Sequence, residues 1–112
     1  MKLERIIIED HDIQALGKRI IKYRGSDYQC VSKDMIILGV ESFRLRTTSA
    51  QWDMVVLKRI NTKIQVDIVG TAGGSGIFNI SLGSENSFVK EMRRFLVHYC
   101  EENGFRYGYS KS

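Results

Sequence analysis

The chain has 112 residues, 43% of them hydrophobic and 27% charged, with a formal net charge of +4. That length provides for one hydrophobic core and not two, and the apolar fraction is too high for a disordered chain. No apolar run approaches the roughly 20 residues that cross a bilayer as a helix, and the start Met1-Lys2-Leu3-Glu4-Arg5-Ile6-Ile7-Ile8-Glu9-Asp10 lacks the long apolar core of a signal peptide. A cytoplasmic protein with no membrane partner is the expectation. From the positive balance weak attraction to polyanions follows, but specific nucleic-acid recognition does not.

In chain order, Leu3 to Ile8 is short and isoleucine-rich and fits a strand or an extended lead-in to a helix. Asp10 or Asp12 can cap a helix running through Tyr23, with Ile13, Leu16 and Ile20 on one face and Ile21 at its edge. Lys18, Arg19, Lys22 and Arg24 crowd the last turns, where positive charge favours the helix dipole, and Gly25 can take the left-handed conformation that ends the helix. This basic run is explained without a partner.

The period then changes. A short strand is expected at Tyr28 to Val31, followed by Met35 to Thr47, where Phe43, Leu45 and Thr47 alternate with Ser42, Arg44 and Arg46. Trp52 to Ile60 and Lys63 to Thr71 follow, separated by the turn residues Asn61-Thr62, and the four runs read as an antiparallel meander. One face of such a sheet must be buried, and the flanking helices are its natural cover. Ser84 opens a closing helix in which Phe88, Val89, Met92, Phe95, Leu96, Tyr99 and Cys100 form an apolar stripe expected to bury against the sheet. Asn103-Gly104 ends it. The chain contains no proline, and the segment from 104 to 112 reads as a loose tail beyond a single domain of residues 1–103.

Glycines concentrate in Gly70-Thr71-Ala72-Gly73-Gly74-Ser75-Gly76-Ile77-Phe78-Asn79. Such a loop can turn amides inward to hold an anion, with Gly73, Gly74, Ser75, Gly76 and Asn79 as the candidate ligand-binding residues. The segment lacks the lysine and hydroxyl of a Walker A loop, and its spacing is not the dinucleotide fingerprint. Glycines that bend or bulge a strand on its way to the helix are the preferred reading. The run Gly-Gly-Ser-Gly-Ile-Phe-Asn-Ile-Ser-Leu-Gly-Ser-Glu-Asn-Ser-Phe-Val at 73 to 89 resembles the C-terminal half of small uncharacterised bacterial α+β proteins classed as domains of unknown function. The resemblance lies mainly over residues 62–100; it implies a similar fold and no activity.

Groups that could do chemistry are few. His11, between Asp10 and Asp12, reads as part of a helix start, and His98 as a residue on a helix flank. Cys100 and His98 cannot form a nucleophile pair, because residues two apart on a helix point about 200° apart. Cys30 and Cys100 have neither a C-x-x-C spacing nor a histidine set, so no metal site follows and both read as buried reduced thiols. The acids Glu41, Asp53, Asp67 and Glu85 could pair only through folding. No enzyme and no cofactor are expected.

Arg44, Arg46, Lys58, Arg59 and Lys63 lie on neighbouring predicted strands near Phe43, Trp52 and Phe78, which makes them candidate nucleic-acid residues. The alternation at 43 to 47 places aromatic and basic residues on opposite sides, so a solvated basic face is the simpler reading. Taken together, these features predict an α+β fold: a four- to five-stranded, mostly antiparallel sheet with two helices on one face, in the order (β)-α-β-β-β-β-α. The expected role is a non-enzymatic binding or interaction domain, with dimerisation or a ligand covering Trp52, Met54 or Val56 if they fall on the uncovered sheet face, and with single-stranded nucleic-acid binding as the alternative.

Overall fold

A computed structural model describes residues 2–9, 12–44, 49–70 and 84–110, with side chains at all of these except 2, 42–44, 49–51 and 84–86. The isoleucine-rich start forms strand β1 (Lys2–Ile8) and leads into helix α1 (Ile13–Arg24). The Asp12 carboxylate accepts the Ala15 amide at 2.9 Å, satisfying one of the donors that a helix start leaves open. At the other end Gly25 takes φ 83°, and its amide donates to the Ile21 carbonyl at 2.8 Å. A side chain would be strained in that conformation.

The meander follows as β2 (Tyr28–Val31), β3 (Met35–Arg44), β4 (Ser49–Ile60) and β5 (Lys63–Gly70). Asn61 makes the tight turn between β4 and β5 with φ 57°, which asparagine tolerates better than most side chains. Strand β4 begins at Ser49, before the expected Trp52, and the expected continuation of β3 to Thr47 lies outside the described residues. Helix α2 (Ser84–Asn103) is followed by β6 (Tyr107–Ser110).

The described strands form one sheet in the order β2-β3-β4-β5-β1-β6, with every neighbouring pair antiparallel. The expectation of four to five strands is therefore corrected to six. The sixth lies in residues 104–112, which read as a loose tail. Its cause is local. Gly104, at φ 73°, turns the chain back, and the Phe105 amide donates to the Cys100 carbonyl at 2.9 Å in the pattern of a Schellman cap. Phe105 then packs on Tyr99, ring centroids 5.7 Å apart, and the Glu9 amide bonds to the Arg106 carbonyl at 2.9 Å. The chain is thereby set down beside β1.

Both helices cover the same face. Ile6, Ile8, Ile36, Leu38, Val40, Val55, Leu57, Ile64, Val66 and Ile68 rise from alternate positions of the strands into one cluster with Ile13, Leu16 and Ile20 of α1 and Phe88, Val89, Met92, Leu96, Tyr99 and Cys100 of α2. Asp53 is buried on the same side, the one buried charged residue among those described. Phe95 departs from the expected stripe. It is only partly buried and stacks on Tyr23 at 4.3 Å, because it stands on the flank of α2 that meets α1. The basic run of α1 also reaches this flank, with Arg24 3.5 Å from Glu91 and Arg19 4.0 Å from Glu102.

Gly17 marks the closest approach of α1 to the sheet, since a Cβ there would lie 2.8 Å from Cδ1 of Ile36. Gly17→Leu is expected to cost about 1–3 kcal/mol by overpacking, whereas Gly17→Ala stays near neutral because the tip of Ile36 can turn aside. Leu96→Ala should cost about 3 kcal/mol and Phe95→Ala clearly less, in line with their burial. Urea denaturation checks all four; equal losses for Leu96 and Phe95 would show that the two are buried alike.

Candidate functional site

Alternation that buries one face exposes the other, and no described element covers it. Leu3, Tyr28 and Trp52 stand exposed there at 37%, 55% and 45%, while Ile7, Met35, Ile37, Met54, Val56 and Val69 are half-buried among their neighbours. Cross-strand pairing arranges part of this set in a line. Leu3 pairs with Val69, Val69 with Met54, Met54 with Gly39 and Gly39 with Tyr28, an uncharged row that crosses five strands. Gly39 has a specific reason to lack a side chain. A Cβ would lie 3.3 Å from Cβ of Tyr28 and 3.5 Å from Cζ3 of Trp52, so the indole lies over the glycine and closes the gap.

The next row is polar at one end. Arg5 and Asp67 face each other across β1 and β5 and form a two-point ion pair, Nε to Oδ1 at 2.6 Å and Nη2 to Oδ2 at 3.1 Å. The hydrogen bond to Asp67 is the main cause that raises the Arg5 pKa above its ordinary value, against a smaller desolvation effect in the opposite direction. The side chains are 27% and 16% exposed, so the pair is a half-screened element of the face and not a free charge. Beyond it the face turns basic with Lys58 and Lys63 and, at the far end, acidic with Glu41.

The predicted nucleic-acid residues do not assemble as a group. Lys58 and Lys63 share the open face, but Arg59 points to the other side and pairs with Asp34 at 3.4 Å. Arg44 is the last residue of β3, and Arg46 lies outside the described residues, as does the alternation at 45–47. The candidate anion loop Gly73, Gly74, Ser75, Gly76 and Asn79 also lies outside the described residues, together with His11. Cys100 is in the core and Cys30 is exposed on β2, so the reading of both thiols as buried is corrected for Cys30: it pairs with Ile37 and so stands on the sheet face opposite the helices, on an edge strand. His98 is exposed and lies 3.4 Å from Glu102.

What reading the chain by runs missed is the row itself. Leu3, Tyr28, Gly39, Met54 and Val69 come from five separate segments, and only the register brings them together. No family model, curated protein or solved structure matches the chain. The functional reading therefore rests on the geometry of this face. Among the described residues no helix is long and apolar enough to cross a membrane.

Trp52 is the single tryptophan of the chain and reports directly on the face. Its emission is expected to be readily quenched by acrylamide at high dilution. Trp52→Ala should lower stability by no more than about 1 kcal/mol, because a half-exposed residue leaves little cavity. A blue-shifted, unquenched tryptophan in dilute protein would show that something in the chain covers the face.

Proposed function

We propose that this chain is a small non-enzymatic interaction domain that self-associates through the open face of its sheet. The observation that carries the reading is the uncharged row Leu3–Val69–Met54–Gly39–Tyr28 with Trp52 lying over it, because an apolar strip of this kind, left in water, favours contact with another apolar surface. A second copy is the occupant whose chemistry fits. The face carries opposite charges at its two ends, Lys58 and Lys63 against Glu41, so a copy turned end for end brings unlike charges towards each other.

The size is adequate for a moderate interface. Five strands at about 4.8 Å spacing and six residues of β4 at about 3.4 Å give roughly 500 Å² of flat face per copy. Two copies together reach about 1,000 Å², the lower end for a specific association. The half-buried Arg5–Asp67 pair arrives already satisfied, which lessens the desolvation cost of covering it.

Single-stranded nucleic-acid binding is the second reading, supported by Lys58 and Lys63 on the same face as the Trp52 ring. Sedimentation velocity over a concentration series separates the two. The expected result is a concentration-dependent dimer that becomes monomeric in the Trp52→Glu, Met54→Glu double variant, with the melting temperature kept within a few degrees of a dilute parent sample. A parent that stays monomeric at millimolar concentration overturns self-association. Binding of single-stranded DNA that survives physiological salt and is lost in the Lys58→Ala, Lys63→Ala variant would favour the second reading.

A further inference from the structure

The sheet has a second unfinished boundary, at β6. Helix α2 runs along β1 and stops short of covering β6: Arg93 bonds to Glu4 at 2.9 Å near one end of β1, and Glu101 lies close enough to Tyr107 to act on its phenol, where Tyr107 pairs with Ile8 at the other end. Eight helical residues rise about 12 Å and four strand residues extend about 13 Å, so helix and strand keep pace. Because Tyr107 and Tyr109 pair with Ile8 and Ile6, they stand on the helix side, yet they remain 36% and 58% exposed. The result is a step with Tyr109 as floor and the flank of α2 as wall.

That step is a cavity of about 310 Å³ lined by Arg93, Arg94, Val97, His98, Glu101 and Tyr109. Its charge is graded. Arg93 is engaged by Glu4 and Glu101 lies at the far end, while the exposed Arg94 makes no ion pair among the described residues. The floor ends in a bare strand edge, since β6 has β1 as its one neighbour among the described strands. Its residues, Tyr107-Gly108-Tyr109-Ser110, include neither the charge nor the proline that commonly blocks pairing at an edge.

We propose that this step is a docking site for an extended acidic peptide segment, which adds to the outer edge of β6 as a further strand and sets an acidic side chain against Arg94. Main-chain hydrogen bonds along β6 supply the general attraction, and alternate side chains of the peptide face the wall. Arg94 and Val97 both line the wall, about one helical turn apart, so peptide side chains on that side of the added strand meet a cation and an apolar surface. The recognised pattern is an acidic residue and an aliphatic one on the same side of the peptide strand. This site is separate from the open face and does not depend on self-association.

The test uses the full chain and a blocked, dye-labelled octapeptide, Thr-Glu-Thr-Val-Thr-Glu-Thr-Val, with a control carrying lysine for each glutamate. Anisotropy is expected to show saturable binding of the glutamate peptide, weakened about tenfold by Arg94→Glu and largely retained by Arg94→Lys. Amide exchange at 107–110 should slow on peptide addition, a change that charge attraction alone does not produce. Binding should persist in the Trp52→Glu, Met54→Glu variant, which separates this outcome from failure of the sheet-face reading. Equal affinity for the lysine peptide, unchanged exchange at 107–110, or protection at 28–31 instead would overturn the proposal.

Discussion

Both helices lie on one side of the sheet, and among the described residues that side alone is covered. The strands crossing the core then supply apolar residues at alternate positions, Asp53 excepted, which is why Ile6, Ile8, Ile36, Leu38, Leu57, Ile64, Val66 and Ile68 carry the core while their neighbours in sequence do not. The closeness of the seal is set where α1 meets β3. There Gly17 lies against Ile36, and any larger residue would push the helix outward or force a new rotamer. The ion pairs from Arg24 and Arg19 to Glu91 and Glu102, and the stack of Tyr23 on Phe95, then hold the two helices side by side along their outer seam.

The same constraint leaves the other face without a cover among the described residues. A solvated antiparallel sheet normally turns polar residues outward, and this one does so only in part. Arg5, Asp67, Gln65 and Lys58 occupy some of the outward positions, but the row from Leu3 to Tyr28 is uncharged across five strands. Trp52 is placed so that its ring lies over Gly39.

The end of α2 links the core to the sheet edge. The left-handed turn at Gly104 and the Phe105 amide bond to Cys100 reverse the chain, and Phe105 follows Tyr99 into the edge of the core. A helix that ended without this cap would leave β1 as the sheet boundary. With it, the boundary moves one strand outward, beyond the reach of α2, and the tyrosines of β6 are left standing beside an open helix flank.

Much of this was legible in the order of residues. The capping aspartate, the positive-φ glycine after α1, the meander with its Asn61 turn and the apolar stripe of α2 each follow from a local pattern whose period or conformational demand admits few alternatives. The sixth strand was not legible, because Tyr107-Gly108-Tyr109-Ser110 is too short for periodicity and is a strand only through the partner that Phe105 brings within reach. The position of Phe95 likewise depended on α1 lying alongside it and not on its place in the stripe. By itself the sequence determined the two helices, the four strands of the meander and that one face of the sheet is buried. Which residues meet across five strands on the uncovered face, and where the helix stops short of the sheet edge, was decided by tertiary structure, since cross-strand register depends on contacts between segments distant in the chain.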